Sequence, residues 1–270
     1  MAEDDSRPQR QLFERLPQSV AHSLVGHQPQ ARQLAGVAAW HDAAYSTPMP
    51  AHDPATELKT VRQSIAHAAV LATRKPEYVT LIAVSKTQQP DAILPLLAAG
   101  QRDFGENRVQ EAEAKWPALR ADYPDTVLHL IGQLQSNKAE DAVTLFDAIH
   151  SVDRPSLVAA LGKAMDKTGK RPACFIQVNI GEEDQKGGCA IGDLPALLAA
   201  ANDAGLPVAG LMAIPPADTE AAPYFALLAK LARESGLAGL SMGMSSDFET
   251  AVMIGATHVR VGSALFGARS

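Results

Sequence analysis

From residue 58 onward the chain repeats one rhythm: a short apolar run, a turn, then a helical stripe. The first apolar run, Val79-Thr80-Leu81-Ile82-Ala83-Val84, is rich in β-branched residues. It lacks the polar alternation of a half-exposed strand, so it predicts a strand buried on both faces, as in a parallel sheet. Ahead of it, Leu58, Val61, Ile65 and Ala69 recur at helical spacing and predict an amphipathic helix reaching about residue 73. Further strands are predicted over 103–107, 127–132, 148–152, 173–180, 208–214, 240–244 and 258–265, the first running over 79–86. Helices are predicted between them over 92–99, 109–121, 137–146, 155–167, 194–204, 220–234 and 247–254. Gly100, Gly205 and Gly255 close three of these helices, and Pro155 opens another in its tolerated first turn.

Eight strands alternating with helices predict parallel pairing, and eight such units fit a closed (β/α)8 barrel better than an open sheet. An eighth outer helix is missing after the last strand, and the helix over 58–73 is the candidate to fill its place. Residues 51–270 are thus expected to form a single α/β TIM barrel with no second folded domain behind it. Residues 1–50 carry Gln, His, Pro and Ala without lasting periodicity. They read as an N-terminal extension outside the barrel, without fixed structure or with short helices over 10–24 and 31–44.

Composition narrows the picture further. A length of 270 residues suits one large barrel, and the scarcity of aromatics (5%) suits a core of aliphatic layers. The net charge of −6 argues against a general nucleic-acid binder. No apolar run reaches membrane-spanning length, and the N-terminus lacks the layout of a signal peptide. Only Cys174 and Cys189 are present, at no metal-ligand spacing. These features predict a cytoplasmic protein with reduced thiols and no metal.

Candidate chemistry sits at the C-terminal ends of the strands, the active face of such barrels. Lys86 ends the first strand, Glu106 and Asn107 the second, and Asn179 stands near the end of the fifth. In the last strand His258, Arg260 and Gly262 share one face and Val259 and Val261 the other, so Arg260 is expected to point into the barrel. A buried guanidinium needs a partner, either Glu106 or a ligand. The segment Ser241-Met242-Gly243-Met244-Ser245-Ser246-Asp247 and the pair Gly262-Ser263 suit a phosphate, because glycines admit backbone amides and serines add donors. Ser245 has a plainer reading as a helix N-cap, and Lys86 one as a structural or surface lysine. Taken together, an amine, an inward arginine and a phosphate cradle describe a site for a phosphorylated aldehyde held as a lysine Schiff base, which is pyridoxal 5′-phosphate. A phosphate-ligand barrel without a Schiff base would use the same cradle.

The sequence resembles the pyridoxal phosphate homeostasis proteins, relatives of the alanine racemase barrel with fold-type III cofactor binding. The resemblance runs through ordered blocks from about residue 55 to the end. They are Ala83-Val84-Ser85-Lys86-Thr87, Phe104-Gly105-Glu106-Asn107 with Gln110-Glu111, and His129-Leu130-Ile131-Gly132 with Leu134-Gln135-Ser136-Asn137-Lys138. Val178-Asn179-Ile180 with Glu183 and Lys186-Gly187, Gly210-Leu211-Met212-Ala213-Ile214-Pro215, Leu240-Ser241-Met242-Gly243-Met244-Ser245 and Val259-Arg260-Val261-Gly262 complete them. The resemblance implies Lys86 as the Schiff-base lysine, Arg260 facing the pyridine nitrogen, and Ser245 with Gly262-Ser263 on the phosphate. Asn107, Asn179 and Met212 match positions lining the same pocket. Residues 1–50 lie outside the resemblance.

An arginine at the pyridine nitrogen disfavours ring protonation and weakens the ring as an electron sink. A racemase also needs a second acid/base, which related racemases draw from a C-terminal β domain. No such domain is apparent in the sequence, and none of Tyr45, Tyr78, Tyr123 or Tyr224 is well placed. The expectation is therefore a cofactor carrier or reservoir in pyridoxal phosphate homeostasis, with no catalytic residues. Apo-enzymes are expected as recipients and a monomer as the working form; membrane and nucleic acid are not expected as partners. The alternative is a fold-type III enzyme, such as an amino-acid racemase or decarboxylase.

Overall fold

The computed structural model describes residues 53–267, and the expectations for residues 1–50 lie outside them. Asp53 caps the first helix, α1 (Pro54–Leu71), its carboxylate accepting from the Ala55 and Thr56 amides. Then come β1 (Thr80–Val84), α2 (Pro90–Ala98), β2 (Asp103–Glu106), α3 (Val109–Asp122), β3 (Val127–Leu130) and α4 (Ala139–Leu145). β4 (Ala148–Val152), α5 (Pro155–Thr168), β5 (Ala173–Gln177), α6 (Leu194–Asp203), β6 (Val208–Met212) and α7 (Ala222–Glu234) follow. The chain closes with β7 (Gly239–Ser241), α8 (Phe248–Ile254), β8 (His258–Val261) and a one-turn helix, α9 (Ser263–Phe266).

The strands form a closed parallel barrel in chain order, β8 pairing back onto β1 with Ile82 beside Arg260. This is the (β/α)8 architecture expected from the alternation. α1 packs against α8, α9 and α2, so it does occupy the gap in the outer ring. It buries Leu58, Val61, Ile65, Ala68 and Ala69 there, the stripe visible in the sequence.

Strand alternation sorts the core into two parts. One set of residues, including Leu81, Ala83, Phe104, Leu128, Leu130, Ile176 and Leu211, packs between sheet and helices. The other set, including Ile82, Phe175 and Met212, is buried inside the barrel. β8 follows the expected split, with Val259 and Val261 in the outer layer and His258 and Arg260 within.

Most predicted strands overrun at their C-terminal ends. β1 stops at Val84 rather than Lys86, β3 at Leu130, β5 at Gln177, β6 at Met212, β7 at Ser241 and β8 at Val261. The apolar pattern continues past these points because Ile131, Ile214 and Phe266 still face a cavity although the ladder has ended. Gly262 and Ser263, placed in the last strand by the sequence, are instead the cap and first residue of α9.

Candidate functional site

The cavity at the C-terminal mouth has a volume of about 360 Å³. Its wall contains Lys86, Asn107, Ser245, Arg260, Gly262 and Ser263, six of the residues singled out from the sequence. Two others do not line it. Met212 ends β6 with its side chain fully buried inside the barrel. Asn179 is turned onto its own loop, donating to the Glu183 carbonyl and accepting from the Glu183 amide. Val84, Gln88, Ile131, Ile214, Met244, Ser246, Phe266 and Gly267 also line it. Of these, Gln88, Ile131 and Ile214 carried no separate signal, because only the curvature of three different loops brings them to one place.

Lys86 is half-buried in the turn after β1. Thr87, next to it, has φ 66, a left-handed conformation that a β-branched residue rarely adopts. The turn is held from behind. The Thr87 amide donates to the Glu111 carboxylate. Lys115, only 6% exposed, donates to the Ser85 carbonyl at 2.8 Å and the Gln88 carbonyl at 3.2 Å. It also contacts the carboxylates of Glu111 (3.2 Å) and Glu106 (2.9 Å). Glu106 accepts further bonds from the Ser85 hydroxyl and the Trp116 indole.

Glu106 therefore faces the outer layer and does not partner Arg260, which answers one of the two readings left open by the sequence. Arg260 is 4% exposed, and its guanidinium donates to the Ser241 hydroxyl at 2.7 Å and the Ala213 carbonyl at 3.0 Å. Burial draws its pKa down to about 10, with Asp247 acting in the opposite sense, so it remains a cation at neutral pH.

The cradle is built by backbone. Gly243 has φ +93, and a Cβ there would lie 2.6 Å from that of Ala251, so only glycine lets the loop after β7 fold down. The Gly243 carbonyl accepts from the Arg260 amide. Asp247 accepts from the Met244 amide at 2.6 Å, and Ser245 accepts from the Gly262 amide at 3.2 Å. Ser245 thus ties the β7 and β8 loops together and is not the N-cap of α8, a position held by Asp247. Across the mouth, Gly132 brings its backbone against Asn107, where a Cβ would fall 2.3 Å from the Asn107 carbonyl oxygen.

Among the described residues, the cavity wall offers an amine, a guanidinium, serine hydroxyls and backbone amides, with no carboxylate, histidine, tyrosine or cysteine. That donor set fits an anion carrying an amine-reactive group, and pyridoxal phosphate meets both requirements. No group of His, Cys, Asp and Glu among the described residues is arranged to hold a metal ion.

A closed parallel barrel with a lysine at this mouth is the barrel of the alanine racemase class, and residues 60–270 match the family described as alanine racemase, N-terminal domain. The chain is 44% identical over 227 residues to the pyridoxal phosphate homeostasis protein of Pseudomonas aeruginosa, covering 80% of this chain and 95% of that one. Against the Escherichia coli K12 protein of the same name the identity is 38% over 234 residues, 81% and 97% of the two chains. It belongs to the pyridoxal phosphate homeostasis protein family. Among solved structures, PipY of Synechococcus elongatus PCC7942 with PLP bound matches with a TM-score of 0.65 and 43% identity, covering 75% of this chain and 100% of PipY.

Proposed function

We propose that this protein binds pyridoxal 5′-phosphate through Lys86 and acts in its intracellular homeostasis as a carrier or reservoir. The observation carrying this reading is the convergence of Lys86, Arg260, Ser245, Gly262 and Ser263 on one cavity whose described lining holds no carboxylate. The names of its relatives and the PLP-bound PipY structure support it.

When bound, the cofactor supplies an aldehyde carbon to which amines add, and an aromatic ring whose acidity depends on its nitrogen. Lys86 provides the amine, on a turn clamped by Lys115 and Glu111. Arg260 would present a guanidinium donor to the ring nitrogen and disfavour its protonation, which would weaken the ring's electron withdrawal. Ser245, Gly262 and Ser263 would receive the phosphate, and Asn107 stands on the same wall. Asn179 fixes the neighbouring loop and Met212 the floor.

Catalysis is not part of the proposal. Two-base racemisation needs an acid/base on each side of the ring, and the described residues of the cavity wall include no carboxylate, histidine, tyrosine or cysteine to serve as the second. Among the described tyrosines, Tyr78 is exposed just before β1, Tyr123 packs by Arg102, and Tyr224 lies in α7 against the outer core. We place the protein in the cytoplasm as a monomer, handing cofactor to apo-enzymes, without membrane or nucleic-acid partners. No helix among the described residues is long and apolar enough to cross a membrane.

The test is spectroscopic. Purified protein mixed with pyridoxal phosphate should show the long-wavelength absorption of a lysine-linked pyridoxal. Borohydride should fix its mass to Lys86, and Lys86→Ala should lose both signals. An unchanged Lys86→Ala spectrum would refute the assignment. Sustained racemisation or decarboxylation of added amino acids, lost in Lys86→Ala, would overturn the carrier reading in favour of an enzyme.

A further inference from the structure

Barrels of this kind usually fill their interior with layers of branched aliphatic side chains. Here the interior below the cavity holds a polar column. The Arg260 guanidinium reaches the Ser241 hydroxyl at 2.7 Å, and that oxygen lies 2.8 Å from His150 Nδ1. His150 Nε2 is 3.0 Å from His129 Nδ1, and His129 Nε2 is 3.0 Å from Asp103 Oδ1. Asp103 is the first residue of β2, at the mouth opposite the cavity, and its side chain is 31% exposed. Phe175 stacks on His150 with ring centroids 4.3 Å apart, walling the column.

With both imidazoles neutral, the two ends fix the direction of every link. A guanidinium can only donate and a carboxylate can only accept. Ser241 therefore accepts from Arg260 and donates to His150 Nδ1. His150 then donates from Nε2 to His129 Nδ1, and His129 donates from Nε2 to Asp103. Burial, with His129, His258 and Arg260 nearby, holds His150 well below its ordinary pKa and so neutral, and in this relay each ring carries its proton on Nε2. The column also answers an electrostatic need. Among the described residues no carboxylate forms an ion pair with Arg260, whose guanidinium donates to Ser241 and the Ala213 carbonyl while Asp247 acts on it without a direct bond. A buried guanidinium without a counter-charge is costly, and the chain of bonds leads to the carboxylate of Asp103.

We propose that Ser241, His150, His129 and Asp103 are positioning residues for Arg260, linking the opposite mouth of the barrel to the ring-facing side of the cavity. The proposal rests on the pyridoxal phosphate reading for its effect on binding, while the direction of the relay stands on the protein alone. Removing the negative charge at Asp103 takes away the anion at the far end of the relay and leaves Asp247 as the carboxylate acting on Arg260. Breaking the relay in the middle frees the Ser241 hydroxyl to turn, and Arg260 then presents differently to the ring. The other titratable groups facing the column are His258 of β8, beside both histidines, and Asp247 near Arg260. Around the opposite mouth, Arg62, Glu77 and Arg102 share the surface with Asp103.

Two measurements test this. In cofactor-free protein, 15N imidazole spectra should show His129 and His150 both protonated at Nε2; a His150 protonated at Nδ1 would overturn the directional relay. In cofactor-loaded protein, Asp103→Asn keeps an acceptor of the same shape but removes the charge. It should retain the borohydride-fixed link to Lys86, shift the pH profile of the bound-cofactor absorption, and weaken binding by about 3- to 10-fold. His129→Asn should do the same. Asp125→Asn is the control, an exposed carboxylate paired with Arg102 outside the column, and should change neither. If Asp103→Asn and His129→Asn match Asp125→Asn in affinity and spectrum, the relay has no role, whatever their melting temperatures. Failure of wild-type protein to form the Lys86 link would instead refute the underlying binding reading and leave the tautomer result standing.

Discussion

Lys86 was marked in the sequence by its place at the end of an apolar run, and the structure adds what holds it. Thr87 sits at φ 66, a conformation costing on the order of 1–3 kcal/mol unless its surroundings enforce it. The Glu111 carboxylate on its amide and Lys115 on two carbonyls of the turn provide that enforcement. Lys115 and Glu111 are spaced i,i+4 on α3, a spacing that also suits an exposed ion pair. Nothing in the periodicity says that Lys115 faces inward. Ser245 shows the converse case. Its candidacy came from a loop composition that also suits an N-cap, and only the 3.2 Å contact with the Gly262 amide distinguishes the two. Ser245→Ala should preserve the fold and weaken pyridoxal phosphate binding about tenfold, the worth of a lost bond to a charged group. Titration by absorbance checks it, with inorganic phosphate as competitor. An unaltered affinity would remove Ser245 from the cradle.

The elements themselves were legible wherever burial is one-sided. α1 carried its stripe plainly, and its position beside α8 follows from the vacancy that a short final element leaves in the ring. Leu58→Ala in that stripe should cost about 2–5 kcal/mol, as for other fully buried leucines, visible as a lower urea midpoint. Strand ends were less legible, because cavity-lining residues remain apolar after the hydrogen-bond ladder stops. The β2–α3 unit contains the largest single liability. Glu106 is wholly buried and Lys115 nearly so, and the two pair at 2.9 Å through Glu106 Oε1, leaving Oε2 buried without a bond. Lys115→Met would leave the Glu106 charge unpaired and should destabilise the fold by about 3–5 kcal/mol. The double variant Lys115→Met with Glu106→Gln should recover part of that loss in the same denaturation experiment. If the single variant unfolds at the wild-type midpoint, the buried pair contributes nothing.

At the scale of the whole molecule, the barrel interior makes stability depend on pH. Burial, with His129 and Arg260 nearby, lowers the His258 pKa from 6.5 to about 4, against a smaller opposing effect from Asp103. His150 is lowered in the same sense. Between those pH values the unfolded chain binds protons that the folded barrel refuses, so stability rises with pH through the window and is lost as pH falls from 6.5 towards 4. Melting temperatures measured across that range should drop steadily on acidification, and His258→Asn should flatten the slope. A flat wild-type profile would mean the interior histidines are not held neutral. The two cysteines are silent here, since burial pushes Cys174 up to about 12 and Cys189 to about 11.

By itself the sequence determined the barrel, because an unbroken alternation of doubly buried strands and amphipathic helices has few other ways to close. It also determined the chemistry at the strand ends, where Lys86, Arg260 and the glycine-serine segments stand out against apolar surroundings. Tertiary structure alone decided how these meet. It set Asn179 on its own loop and Met212 under the floor, and it turned Glu106 outward to Lys115. It also stacked His129, His150 and Ser241, from three separate strands, into one column beneath Arg260. A strand's period of two says which residues share a face, but which neighbours they meet across the barrel depends on closure and register, and these exist only once all eight strands are in place.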